Sequence, residues 1–172
     1  LIGGANAALA GAGAGRPLDP ARDAGLAGRG GRAMLAEGFR RARLPEAEIA
    51  AAVEAAFGPF LGAYEARIAE ESRLFEGVEA ALDLLAAGGW RLAVCTNKPE
   101  RLARVLLGEL GALERFAAVV GADTLPVRKP DPAPFRHAAA GAGAAAALSV
   151  MIGDTATDRE TARAAGAPSV LM

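Results

Sequence analysis

Cysteine, histidine, tyrosine and tryptophan each occur once in the 172 residues, and lysine only twice. With Cys95 as the sole cysteine, no intrachain disulfide can form, which fits a reducing, cytoplasmic setting. Cys95 falls mid-strand and reads as a small buried apolar side chain. The sole histidine, His137, falls on a predicted helix away from the loops discussed below and reads as a surface or half-buried residue rather than a catalytic one. No apolar run approaches the ~18 residues that a membrane-crossing helix needs, so no membrane partner is expected. The formal net charge is −1, without a basic excess or a block of one sign. No nucleic-acid partner and no charged tail are therefore expected.

What is present is apolar and small. Hydrophobic residues make up 52% of the chain, which predicts a globular protein. The 45 alanines and 22 glycines read as a compositional bias rather than as a repeat. The basic residues are 17 arginines and the two lysines, Lys98 and Lys129, each followed by proline in a predicted loop. A lysine in an arginine-rich chain suggests a need for a compact ammonium, with chance as the competing explanation for only two cases.

From Gly4 to about Ser72 the pattern is helical or loop-like throughout. A helical run is predicted from Arg32 to Arg43 and another from Pro45 to Phe57. Gly58-Pro59 is expected to break or kink it, and a further run continues to about Glu71. After Phe75 the pattern changes. Helices are predicted at Val78–Ala87, Pro99–Leu110, Pro132–Ala140 and Asp158–Ala165. Strands are predicted at Arg91–Thr96, Phe116–Val120, Leu148–Ile152 and Pro168–Met172. Strands alternating with helices of about ten residues predict an α/β fold with a parallel sheet. Two domains follow: a helical one over residues 4–74 and an α/β one over 75–172.

Three loops behind predicted strands carry polar residues. Val150 to Asp158 reads as a strand, a turn at Gly153, and a helix, with carboxylates at Asp154 and Asp158. Asp154 then lies at the carboxyl end of a strand, where open α/β sheets bind ligands. Its oxygens suit a hard cation such as Mg²⁺. The competing reading makes Asp154 or Thr155 a helix cap and Asp158 a first-turn carboxylate. Thr96-Asn97 opens a helix and offers a hydroxyl and N–H groups to a phosphate, or simply caps that helix. Lys129 sits in Arg-Lys-Pro-Asp-Pro, where two prolines stiffen the loop. It can neutralise phosphate charge or hold a carboxylate, or be a solvated loop lysine.

The order Thr-Asn, Lys-Pro-Asp-Pro, Gly-Asp-x-x-x-Asp resembles the haloacid dehalogenase superfamily of phosphohydrolases. Val94-Cys-Thr-Asn97 resembles its second motif, Lys129 its third, and Gly153-Asp154-Thr-Ala-Thr-Asp158 its fourth. Gly28-Arg29-Gly30-Gly31 and Leu74-Phe75-Glu76-Gly77-Val78 are similar to stretches of the phosphoglycolate phosphatase branch, where Pro is more usual at Glu76. The resemblance implies a Rossmann-like core with a helical cap domain, and Mg²⁺-dependent hydrolysis of a small phosphorylated metabolite, 2-phosphoglycolate foremost. It implies that Thr96 and the backbone around Asn97 bind the phosphoryl group. Lys129 would offset its charge, Asp154 would ligate Mg²⁺, and Asp158 would act through water or by pairing with Lys129. From the helical domain, Arg29, Gly30 and Arg32 are candidates for a substrate carboxylate, with solvated arginines as the competing reading.

The family's first motif, Asp-x-Asp at the end of the first core strand, supplies the nucleophile and the general acid and base. No Asp-x-Asp occurs in the 172 residues. The first core strand and the C-terminal end of the core are therefore expected to lie outside them, leaving an unfilled slot between the strands at Arg91–Thr96 and Leu148–Ile152. The alternatives are a non-catalytic phosphate-binding or regulatory relative, a phosphatase for sugar phosphates or pyrophosphate, and a receiver-like signalling domain. The helical module before the sheet argues against the last. The sequence leaves oligomeric state open.

Overall fold

Apolar side chains recur at helical spacing through the first part of the chain, and they set its packing. Ile49, Val53, Ala56 and Phe60 fall at intervals of three and four residues, so they share one face of a helix. In the computed structural model, which describes residues 1–27, 29–70 and 72–172, that face joins Ile2, Ala5 and Leu9 and Met34, Leu35 and Phe39 in a single core. The helices are α1 (Ile2–Gly11), α2 (Ala24–Ala27), α3 (Gly31–Arg41) and α4 (Glu46–Glu65). They form one of two compact units, Leu1–Glu71; the other is Ser72–Met172. At Gly38 a Cβ would lie 2.2 Å from Leu9 Cδ1, so the bare glycine lets α1 and α3 approach.

Of the break or kink expected at Gly58-Pro59, the break does not occur, and α4 runs through Pro59. Proline removes only the bond to the Ala55 carbonyl, and both residues are exposed, so water can serve that carbonyl. Phe60 and Ala56, buried on either side, hold the helix to the core. The helical run expected to Glu71 instead ends at Glu65 and gives way to turns; Glu71 itself lies outside the described residues.

The long connection after α1 is tied down by polar groups. Buried Asn6 donates to the Leu18 carbonyl at 2.7 Å and accepts from the Leu18 N–H at 3.1 Å. Asp23, also buried, accepts from the two terminal guanidinium nitrogens of Arg41 at 2.6 and 2.8 Å and from the Asp19 N–H at 2.8 Å. Those hydrogen bonds, Arg41's first, lower the Asp23 carboxyl to about 2.

The second unit contains α5 (Val78–Ala87), β1 (Ala93–Cys95), α6 (Glu100–Glu109), β2 (Ala118–Val120), α7 (Ala133–Gly141), β3 (Met151–Gly153), α8 (Ala156–Ala165) and β4 (Ser169–Leu171). β1 pairs in parallel with β2, Cys95 opposite Val120, and β3 in parallel with β4, Ile152 opposite Val170. These are two separate two-stranded sheets. Helix α7 packs on β1 and β2, α8 on β3 and β4, and the two helices touch each other. Phe135, Met151 and Ala162 form the buried cluster at that junction.

The strand expected at Leu148–Ile152 starts later, because Ala146–Leu148 is a 3₁₀ turn. Its geometry is fixed by Leu148 N–H to Ala145 O, Ser149 N–H to Ala146 O, and the Ser149 hydroxyl to Ala145 O. A serine that bonds back to the chain favours a turn over a ladder.

The Asp23–Arg41 pair predicts an acid-sensitive helical unit. Asp23's carboxyl lies at 3.8 when unperturbed and at about 2 when folded. Its contribution is therefore complete above the first value and is lost as pH falls toward the second. Thermal melting followed from about pH 5 to about pH 2 should show a shallower acid slope in Asp23→Asn than in the parent.

Candidate functional site

Parallel strands direct their carboxyl ends to the same side, so the loops that follow β1, β2 and β3 supply the candidate groups. The first two loops are laced together. Thr96 N–H extends the β1–β2 pairing to the Val120 carbonyl at 2.9 Å, and Ala122 N–H donates to the Lys98 carbonyl at 3.0 Å. Asp123 Oδ1 accepts the Glu100 N–H at 2.7 Å, capping α6 from the other loop. The Thr124 hydroxyl donates to Glu100 Oε2 at 2.6 Å and accepts from Gly121 N–H at 2.8 Å. A Cβ on Gly121 would lie 2.2 Å from the Glu100 nitrogen, so only glycine allows this approach.

Within the first loop, the Thr96 hydroxyl oxygen accepts the Lys98 N–H at 3.1 Å. That arrangement uses a lone pair and leaves the hydroxyl proton for a ligand. The Asn97 carboxamide donates to the Lys129 carbonyl at 3.0 Å and accepts from the Lys129 N–H at 3.1 Å.

Lys129 reaches inward from the loop between β2 and α7. Its ammonium donates to the Cys95 carbonyl at 2.8 Å and to Asp158 Oδ1 at 2.6 Å. The lysine and aspartate side chains are 11% and 6% exposed, so this pair is largely shielded from water. An ammonium has three donors, so one remains for an anion.

Asp158 is the third residue of α8, and its other oxygen forms the helix cap. Oδ2 accepts the Thr155 N–H at 3.1 Å and the Thr155 hydroxyl at 2.7 Å, while the Asp158 N–H donates to Thr155 Oγ1 at 3.4 Å. This is a capping box. Burial pushes the Asp158 carboxyl upward, but the hydrogen bonds from Lys129 and Thr155 and the lysine charge more than reverse that, and the carboxyl lies below its ordinary range. Gly153 makes room, since a Cβ there would come within 2.5 Å of the Asp158 side chain. The cap, one of the readings the sequence offers for this segment, and the ion pair that the resemblance implies coexist in one carboxylate.

Asp154 occupies the bend between β3 and α8 and is exposed, with no hydrogen bond or ion pair among the described residues. Its carboxylate has the oxygen chemistry that Mg²⁺ prefers. Among the described residues, no group of three or more His, Cys, Asp or Glu side chains stands close enough to hold a metal. Asp154 thus fits as one ligand of an ion that retains several waters.

Cys95 supplies its carbonyl rather than its thiol. Burial pushes that thiol above its ordinary range, against the opposing charge of Lys129. His137 is exposed on α7. In the helical unit, Arg32 is committed to Glu54 by two bonds of 2.7 and 3.0 Å and lies 3.7 Å over the Phe57 ring. Gly30, at φ 90°, precedes the first turn of α3, and Arg29 is exposed in the adjoining turn. Gly28 lies outside the described residues. The sequence reading missed Gly121, Asp123 and Thr124. Their signal is a small residue and a carboxylate directly behind a strand, the same pattern that draws attention to Asp154.

Removing one partner of a buried pair leaves an uncompensated charge. Lys129→Met is expected to lower unfolding stability by about 3 kcal/mol, and Asp158→Asn by a similar amount. The double substitution should cost clearly less than the sum of the two, measured by urea unfolding of all four proteins.

A family model for haloacid dehalogenase-like hydrolases matches residues 4–166. The chain is 42% identical over 158 residues to a phosphoglycolate phosphatase of Rhodospirillum rubrum, covering 91% of this chain and 66% of that protein. It is 46% identical over 142 residues to a phosphoglycolate phosphatase of Xanthomonas campestris, covering 83% of this chain and 62% of the relative. The chain therefore spans slightly less than two thirds of the length of these curated relatives. Among solved structures, a protein of Haemophilus somnus described as a predicted phosphoglycolate phosphatase superposes with a TM-score of 0.82 at 26% identity, over 99% of this chain and 76% of that one. Because that match extends over both units and the family model runs almost end to end, the chain belongs to the haloacid dehalogenase-like hydrolases, on their phosphoglycolate phosphatase-like branch.

Proposed function

We propose that the protein carrying these residues is a Mg²⁺-dependent phosphatase acting on a small phosphomonoester, with 2-phosphoglycolate as the foremost substrate. The observation that carries this reading is the Lys129 ammonium, fixed by Cys95 O and Asp158 with one donor to spare. A positive charge held still at the point where phosphoryl charge develops is the main requirement of this chemistry. The names of the relatives point to the same substrate.

In this reading the Thr96 hydroxyl and the N–H groups of the Thr96–Asn97 loop orient the phosphoryl oxygens. Lys129 neutralises them through its third N–H. Asp158 keeps Lys129 charged and in place. Mg²⁺, held by Asp154 and water, supplies further neutralisation of the phosphoryl charge when bound. The nucleophile is an aspartate that the 172 residues do not include: it takes the phosphoryl group from the ester oxygen, the alcohol leaves with a proton, and water then cleaves the aspartyl-phosphate to release inorganic phosphate. The helical unit serves as a substrate-selecting cap, with Arg29, Gly30 and Arg32 as its candidate contacts; Arg32 would have to leave Glu54 to take part. The second reading is a non-catalytic phosphate-binding relative that keeps the same fixed ammonium.

The test is phosphate release by the intact protein from 2-phosphoglycolate, glucose phosphates and pyrophosphate, with and without Mg²⁺. Metal-dependent turnover, fastest on 2-phosphoglycolate, is the expected result. Lys129→Ala should lower kcat/KM by about a hundredfold or more. Asp154→Asn should raise the Mg²⁺ concentration needed for half-maximal rate. Binding of inorganic phosphate without any turnover would establish the second reading instead.

A further inference from the structure

Asn97 stands apart from the other polar residues of the site. It is exposed, yet both ends of its carboxamide are engaged, and both engage the same residue. Its Nδ2 donates to the Lys129 carbonyl and its Oδ1 accepts from the Lys129 N–H, at 3.0 and 3.1 Å. That is the donor and acceptor pair that a neighbouring β-strand offers to a residue of a ladder. Here a side chain offers it to a loop residue that belongs to no strand.

The consequence lies on the other side of the same Cα. The Lys129 side chain is a flexible four-carbon stem carrying a point-like charge, so nothing in the stem fixes where the ammonium sits. Its end point depends on where the Cα is held and on the two acceptors, Cys95 O and Asp158 Oδ1. Cys95 is the last residue of β1, and Asn97 follows it by two residues. One short stretch therefore holds Lys129 at both ends: the main chain through the Asn97 side chain, the ammonium through the Cys95 main chain.

We infer that Asn97 is a positioning residue: through its carboxamide it fixes the Lys129 backbone, and thereby aims the ammonium's unused donor at the bound anion. The carboxamide makes no contact with that anion itself. The inference rests on the phosphatase reading only in taking the anion to be a phosphoryl group.

The chain's two lysines make the idea directly observable. In protein labelled with ¹⁵N at the lysine side chains, Lys129→Arg removes the Lys129 ammonium signal and thereby assigns it. The buried, paired Lys129 ammonium is expected to give a slowly exchanging signal. In Asn97→Ala that signal should broaden or vanish, and the affinity for inorganic phosphate, titrated by calorimetry, should fall about tenfold, one unit of log K. The melting temperature should move by no more than a few degrees, because two exposed hydrogen bonds add little to global stability. Asn97→Asp keeps the acceptor for the Lys129 N–H and loses the donor, so it should give an intermediate phosphate affinity.

Three results overturn the inference. One is an unchanged Lys129 signal with weakened phosphate binding, which would mean that Asn97 touches the anion. Another is no change in either measurement. The third is loss of folding in both variants, which would make the residue merely structural. None of these readouts requires catalysis. A parent protein that holds Lys129 rigidly and hydrolyses nothing would end the phosphatase reading and leave the role of Asn97 standing.

Discussion

A charged ammonium withdrawn from water has to be paid for by fixed acceptors, and the second unit is organised around that requirement at Lys129. Desolvating a charge costs several kcal/mol even after the protein relaxes. A carbonyl and a carboxylate, each within hydrogen-bond distance, offset the cost here. These acceptors come from different segments: the end of β1 and the start of α8. The lysine joins these segments, together with the packing of α7 against α8.

The strands themselves are only three residues long. Short ladders cannot hold long loops in place, and the loops take over part of the task. Asp123 caps a helix that follows a different strand, and Gly121 and Thr124 close the gap beside it. Each contact is modest, about 0.5–1.5 kcal/mol for a neutral hydrogen bond. Their common effect is to reduce the number of conformations open to the Thr96–Asn97 loop, so a ligand meets donors that are already oriented.

The order of helices and strands was legible because apolar periodicity changes sharply after Phe75, and Val78–Ala87 matches its predicted span residue for residue. The strand at Leu148–Ile152 was misjudged because an apolar run says nothing about a serine that bonds back to Ala145. Pro59 misled for the opposite reason: proline's local penalty is visible in the sequence, whereas the exposure of Ala55 that makes it tolerable belongs to the folded helix. At the site, Thr96, Lys129, Asp154 and Asp158 stood out through their places behind strands. Asp123 and Thr124 share that place behind a strand, but their role shows only in a partner 23 and 24 residues away.

Asp158 serves two structures with its two oxygens, one bonded to Lys129 and the other to Thr155. A carboxylate shared in this way links two equilibria, the fraying of the first turn of α8 and the placement of the lysine charge. Linkage of this kind is reciprocal. Loosening the first turn of α8 therefore loosens the hold on the Lys129 ammonium, and moving that ammonium loosens the turn, because one side chain serves both.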